Sequence, residues 1–472
     1  MPIDVEAGPV RRVRSIPMRR TVRRLMNDPA GALLEFAREA EGQVVRLNLG
    51  PFRPYLVTHP DHVQQVMRLE WTNYQRVGMF WRPLERLFGH SIMGDGEPWH
   101  TSRAILQPLF TTRYIATLAD EVAARVAGRI EEWDEHARTG RDIDATAEMS
   151  GVLTYIVNRV LFGDKLSRKD AERIVPAFDL VSHSLVYRFL MPFMPYFIRI
   201  PRDRACLRGV KQIDDVVFPV VHEAMAHPDD NLDVVSVLCR FTDENGERLT
   251  AKQIRDALVS VYAAASETTA MILTWLWLLL EEHPGVAARL QAEIDEVVGD
   301  GPAGAEHVPH LSYTRMVLLE ALRLYPSGWL LPRHVMEDAE IGGVRIKRGS
   351  TVLISPYATQ RLEEVWERPD EFDPERFAPD KSAGGERRHR YSYFPFGGGP
   401  HKCLGEHLFY VEGPLVVASI LSRYRLSVRT PGPFTVAWAA SLRPKGKVHL
   451  GVSFARRDRS PAAGHDRSAV SR

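Results

Sequence analysis

The chain is 472 residues long and 44% hydrophobic, enough to bury a large core in either one big domain or two ordinary ones. Its 61 lysines and arginines against 60 aspartates and glutamates leave no overall field of the kind that gathers nucleic acid. Three scattered cysteines, Cys206, Cys239 and Cys403, exclude a disulfide framework or a zinc cluster, suit a reducing cytoplasm, and leave any cysteine chemistry to a single thiol.

In chain order, residues 1–24 carry Arg11, Arg12, Arg14, Arg19, Arg20, Arg23 and Arg24 without an apolar stretch. They read as a basic, flexible lead-in, solvated and not lipid-bound, with neither a secretory signal nor a membrane anchor. The expected location is cytoplasmic. VVRLNLG (44–50) and PYLVTH (54–59) alternate as strands around a Gly-Pro turn and predict a hairpin. Most of 60–325 reads as helix. IGGVRIKRGSTVLIS (341–355) and LRPKGKVHLGVSF (442–454) return to strand patterns broken by glycine turns. From Arg456 the chain is polar and rich in Pro, Gly and Ser, and 456–472 is expected to be a disordered tail. No repeat or Gly/Ser linker divides residues 25–455, so one large domain is expected, mainly α with a smaller β-rich part.

Ala257 to Leu280 is long and apolar enough to resemble a membrane span, but Glu267 sits at its middle among Ser266, Thr268 and Thr269. A central carboxylate costs roughly 2.5–3.5 kcal/mol on insertion scales. The stretch therefore reads as a buried central helix, and polar groups gathered at its midpoint need a functional reason.

Residues 394–405 read FPFGGGPHKCLG, with Phe396, Gly399, Cys403 and Gly405 in the spacing F-x-x-G-x-x-x-C-x-G. Glycines 397–399 let the backbone turn tightly and approach a sulfur without Cβ clashes. Three further patterns accompany it: Trp99-His-Thr-Ser-Arg103; Glu320-Ala-Leu-Arg323, followed by PERF at 374–377; and Ala264-Ala-Ser-Glu-Thr-Thr269. Glu320 and Arg323 share a helical face by their i, i+3 spacing, as such a pair does on many a surface helix. Together the four patterns resemble those of the cytochrome P450 family, over about residues 25–455.

The resemblance implies the P450 fold, a single triangular α+β domain around a buried haem b (iron protoporphyrin IX). It implies iron ligation by Cys403, whose thiolate would be stabilised by the metal and by nearby N–H donors. Phe396 belongs to the ligand loop. Trp99, Arg103, Arg333 and His401 would meet the haem propionates, while Glu320, Arg323 and Arg376 would form a fold-holding network. Glu267 and Thr268 would be the catalytic pair that relays protons for oxygen cleavage.

The implied activity is monooxygenation, inserting one oxygen atom of O2 into a small lipophilic molecule. Electrons would come ultimately from NAD(P)H through a separate ferredoxin or flavodoxin, since no fused redox module is evident. Arg387, Arg388, His389, Arg390 and Lys402 would offer positive charge for that carrier on the Cys403 side. Segments at the family's substrate positions, Met79–Trp81, Leu185–Ile198, Ser327–Leu331 and Ala437–Ser441, are apolar and favour a terpenoid, fatty acid or polyketide-like substrate of secondary metabolism. The stretch 189–197 reads either as core or as a membrane-resting surface. A monomer is expected. Competing readings are a peroxide-using haem-thiolate enzyme and a non-catalytic haem sensor or electron carrier; neither needs the intact acid–hydroxyl pair. Three departures stand out: Ala265 where the family usually has glycine, Phe409 where it often has alanine, and no Asp-Pro after Arg361.

Overall fold

A computed structural model describes residues 13–455 apart from 90, 191–193, 195–197, 244, 300, 380–387 and 439–440. Residues 1–12, the 456–472 tail, Arg387 and nearly all of the 189–197 stretch lie outside the described residues or side chains. The helices that frame the site are α1 (Met18–Asn27), α2 (Pro29–Glu39), α3 (Glu97–Leu106), α4 (Thr112–Ile130), α5 (Ala145–Phe162), α6 (Arg168–Leu190), α7 (Asp203–Ala226), α8 (Ala251–Glu282), α9 (Ser312–Leu324) and α10 (Glu406–Arg423).

Sequence fixes both ends of the central helix α8. Thr250 and Gln253 exchange side-chain and backbone bonds in a capping box at its start, satisfying donors that a helix N-terminus leaves open. At the other end Pro284 begins the next helix, and its ring prevents α8 from running on. The 32 residues between span about 48 Å and pack against α5, α7 and α9. Both α8 and the stretch Gly399–Arg423 are long and apolar enough to cross a membrane, yet each is mostly buried inside the protein. The sequence reading of a buried central helix holds.

The β-rich part is built around a six-stranded sheet. Its strands are β1 (Arg14–Ile16), β2 (Val45–Leu47), β3 (Tyr55–Val57), β4 (Tyr74–Gln75), β5 (Leu331–Val335) and β6 (Thr351–Ile354), in the order β1-β2-β3-β6-β5-β4. The predicted hairpin is β2 and β3, antiparallel with Val45 opposite Leu56. In β5, Arg333 pairs with Val352 of β6. A separate hairpin, β7 (Val436–Trp438) and β8 (Leu442–Pro444), sets Ala437 opposite Arg443.

One expectation is corrected at the N-terminus. Residues 14–24 are not a flexible lead-in: β1 runs parallel to β2, and α1 lies against α2 with Thr21 fully buried. Arg20 and Arg24, one turn apart, face Glu35 and Glu39, one turn apart on α2, with Arg14 also reaching Glu39. Read locally, the arginines are a basic run; read against α2, three of them are one half of an ion-pair ladder.

Behind the sheet, the Glu320–Arg323 pair is fully buried, with Arg323 Nε 2.7 Å from Glu320. Arg323 also donates to the carbonyls of Gln360, Pro369 and Glu371. Arg376 stands 3.3 Å from Glu320 and donates to the carbonyls of Glu367 and Arg368. Two guanidiniums thus bind α9 to the irregular 360–376 segment by satisfying its backbone acceptors, which suits a fold-holding part.

Candidate active site

The cysteine loop is shaped by close backbone approach. Gly399 has φ +63, and a Cβ there would fall 1.8 Å from the Met67 carbonyl oxygen, so only glycine fits. The Cys403 amide donates to the Phe396 carbonyl at 2.8 Å and closes the loop. Phe396 packs against Phe409 and Tyr410, with ring centroids 5.5 and 5.7 Å apart, so the unusual phenylalanine at 409 completes an aromatic cluster under the loop. The Cys403 side chain is accessible. Burial pushes its pKa up, while the Gly405 amide and Arg103 pull the other way. A thiol so placed needs a metal to become a thiolate at neutral pH. Cys206 and Cys239 are buried in the core.

A cationic cradle adjoins the loop. Arg103, on α3, donates to the Lys402 carbonyl at 2.6 Å and to Gln107. His401 meets Asp95 through Nε2 and lies 4.4 Å from the Trp99 ring, centroid to centroid. Burial holds its pKa down to about 4, so the imidazole is neutral. Arg333 is buried and lies over Trp81.

Sequence reasoning missed two members. Arg76, just past β4, spans Trp81 and Trp99 at 5.7 and 5.8 Å, and its Nε and Nη2 are buried without a hydrogen-bond partner among the described residues. Asp95 stands 3.9 Å from the Arg76 guanidinium and accepts from its backbone amide. Burial and mutual repulsion lower Arg76 to about 9, and burial lowers Arg333 to about 10. Three guanidiniums around one ionised carboxylate leave two positive charges in excess, with orphaned donors. Buried charge of that kind is costly unless matched, and two carboxylates such as the haem propionates match it.

On α8, Ala257–Tyr262 and Thr269–Leu280 are buried, whereas Ala264 and Thr268, one turn apart, are exposed. The midpoint of the core helix therefore opens onto space. The helix runs unbroken through Ala265, so the missing glycine goes with a continuous backbone. Thr268 donates its hydroxyl to the Ala264 carbonyl at 2.8 Å and accepts at its own carbonyl from Ser327 at 2.8 Å. Ser327 stands six residues before Arg333 of the cradle, and His401 of the cradle stands two residues before Cys403.

Glu267 is not bonded to Thr268. Its Oε1 accepts from Ser441 and from Arg443, the latter at 2.6 Å. Two residues on, Thr269 donates to Glu412 of α10 at 2.8 Å. Glu412 was also missed; its buried Oε2 has no partner among the described residues, and burial raises its pKa to about 7. The signal was available, since Glu412 interrupts an apolar helix just as Glu267 does.

Of the residues expected to offer docking charge, Arg388, His389 and Lys402 have partners within the chain. Arg388 sits over Trp366 at 4.5 Å and donates to the Arg376 carbonyl, His389 bonds Gln64, and Lys402 pairs with Glu406. Flat aromatic and carbonyl partners compete well for a guanidinium. Arg388 and Arg390 are both exposed.

The family model described as Cytochrome P450 matches residues 22–450. The chain is a cytochrome P450 monooxygenase. Among curated relatives of this P450, the cyclooctatin synthase of Streptomyces melanosporofaciens is 33% identical over 416 residues, covering 87% of each chain. The pentalenene oxygenase of Streptomyces avermitilis is 29% identical over 390 residues, covering 82% of this chain and 85% of that one. Among solved structures, the heme domain of cytochrome P450DA superposes with TM-score 0.84 at 24% identity, covering 95% of this chain and 98% of that one. Family membership brings haem as cofactor, with O2, an organic substrate and a redox partner.

Proposed function

We propose that this P450 inserts one oxygen atom of O2 into a terpenoid, with electrons passing from NAD(P)H through a separate ferredoxin or flavodoxin. The balance is RH + O2 + NAD(P)H + H+ giving ROH, H2O and NAD(P)+, or the corresponding epoxide from an alkene. The observation that carries the site assignment is the accessible Cys403 thiol beside a cradle with two unmatched positive charges; the open strip on the core helix supports it. The terpenoid assignment rests on the cyclooctatin and pentalenene relatives and on the apolar residues at Met79–Trp81 and Ser327–Leu331.

When bound, haem supplies the reductive activation of O2. Cys403 is its proposed sulfur ligand, with the Gly405 amide directed at the sulfur to temper its donation. Arg76, Arg103 and Arg333 would hold the propionates, and Asp95 fixes His401 and Arg76. Thr268 presents its hydroxyl oxygen, with lone pairs free to accept, at the open strip. Glu267 brings protons to that hydroxyl from the solvent side. Phe80 and Trp81 exclude water from the apolar side, Trp81 being fixed by its N–H on the Pro332 carbonyl.

The test is a spectral titration of the haem-loaded protein with pentalenene and other polycyclic terpene hydrocarbons, followed by product analysis with ferredoxin, its reductase and NADPH. Conversion of a terpene to a mono-oxygenated product is expected. Failure of every terpene, with turnover of a fatty acid instead, would overturn the substrate class.

A further inference from the structure

We propose that α1 docks the protein on an anionic lipid surface, with Met18, Val22 and Met26 entering the headgroup boundary and Arg19 and Arg23 meeting lipid phosphates. The inference stands apart from the choice of substrate, and it reverses the sequence expectation of a solvated basic run that lipid does not hold.

A surface helix ordinarily turns its apolar stripe to the core, and α1 does the reverse. Its inward side is polar: Thr21 is fully buried and donates to the Ile16 and Pro17 carbonyls, Arg20 lies 5.4 Å from the Phe36 ring centroid, and Arg20 and Arg24 reach Glu35 and Glu39 of α2. Met18, Val22 and Met26, spaced i, i+4 and i+8, share the outward side, with 51%, 37% and 69% of their surface exposed. Among the apolar residues of α1, Leu25 alone packs on the core. The buried threonine and the ion-pair ladder hold this orientation, so the stripe stays presented outward. A lone exposed methionine is ordinary, but a row of three apolar side chains on one helix face marks a contact surface.

The charge beside the stripe selects the occupant. Arg19 and Arg23, one turn apart, border it around the helix, and both are exposed with no ion-pair partner among the described residues. Between Arg14 and Arg53 eight arginines stand against four carboxylates. Of these, Glu35 and Glu39 are taken up by the ladder, and Asp28 caps α2 through the Gly31 amide. The surplus is positive. The turn between β2 and β3 continues the surface: a Cβ on Gly50 would lie 3.9 Å from the end of the Met18 side chain, and Pro51 and Arg53 are exposed. A second copy of the chain fits poorly, since two-fold pairing along the stripe would set Arg19 and Arg23 against their own counterparts. A nucleic acid, or a purely acidic protein face, would match the arginines and leave the methionines wet. An anionic bilayer takes both, with apolar side chains at the acyl boundary and guanidiniums at the phosphates.

The test is sedimentation of the haem-loaded full chain with extruded vesicles, of phosphatidylcholine alone and of phosphatidylcholine and phosphatidylglycerol in equal parts. Wild type should pellet with the anionic vesicles several-fold more than with the neutral ones, and less as salt rises. Arg19→Glu with Arg23→Glu should abolish the difference, whereas the same two reversals at exposed positions elsewhere, Arg113→Glu with Arg390→Glu, should leave binding as it was. Met18→Ser, Val22→Ser and Met26→Ser together should lower binding several-fold with haem content unchanged. Should that variant fail to fold, Met26→Ser, at the most exposed of the three, gives the same reading in milder form. Wild type that pellets with neither vesicle, binding that survives loss of the apolar row, or an equal fall in the control pair overturns the proposal. So does a dimer in light scattering that the triple variant dissociates, which would give the stripe to a second copy.

Discussion

Glu267 and Thr268 are consecutive on α8, yet the carboxylate is bonded to Arg443 at 2.6 Å and the hydroxyl to the Ala264 carbonyl at 2.8 Å. The two groups that sequence places side by side are held by different parts of the chain.

Their separate attachments predict separate effects. Thr268→Ala should fold, bind haem and oxidise NADPH, while product formed per NADPH falls about tenfold, short of the 10²–10⁴ that a positioned proton donor can contribute. The missing electrons should appear as peroxide. Glu267→Gln should slow product formation by more than Thr268→Ala. Unchanged coupling in both variants, measured as product per NADPH, would make the polar midpoint of α8 structural.

Arg76 should act with opposite sign in the empty and loaded protein. Arg76→Leu removes a buried charge with two unpartnered donors, so the apoprotein should melt no lower than wild type. Haem should be held less tightly by about 1.5–3 kcal/mol, the worth of a charge-assisted hydrogen bond, read as faster haem transfer to apomyoglobin. Equal transfer rates would remove Arg76 from the cradle.

Glu412 predicts a pH effect. Its folded pKa, raised to about 7 by burial, exceeds the value of about 4.3 in an unfolded chain. Between these values the folded state binds more protons, so this group's contribution is complete below about 4.3 and is lost as pH rises through 7. Glu412→Gln should gain on wild type across that window, by up to about 3 kcal/mol. Denaturant titrations at pH 5 and pH 8 measure it; parallel pH slopes for the two proteins would show that the carboxyl is not held protonated.

Arg388 and Arg390 are both exposed but differ in their neighbours. Arg388→Glu should lower the melting temperature, since it loses the Trp366 stack and the Arg376 carbonyl, whereas Arg390→Glu should leave stability alone. Differential scanning calorimetry distinguishes the two; equal melting points would show that the Trp366 stack adds nothing to stability.

What the sequence revealed follows from range. The Cys403 loop, the Trp99–Arg103 spacing, the Glu320–Arg323 pair and the polar midpoint of α8 are patterns within one turn or loop, where backbone geometry alone relates the residues. Arg76, Asp95 and Glu412 acquire meaning only across elements. Arg76 leaves the edge of the sheet, Asp95 lies 306 positions from His401, and Glu412 meets Thr269 across 143. The same limit produced the misreadings. Arg20 and Arg24 read as a flexible basic run until Glu35 and Glu39 are set opposite them, and the Trp366 stack of Arg388 is likewise invisible within its own stretch.

The most direct test is the spectrum of the dithionite-reduced protein with CO, in wild type and in Cys403→Ser. Wild type should show the long-wavelength band of thiolate ligation, and so should Cys206→Ser and Cys239→Ser, whose thiols are buried in the core away from the cradle. Cys403→Ser should lose it. A band that survives in Cys403→Ser would contradict the assignment of the thiol on which the whole site is built.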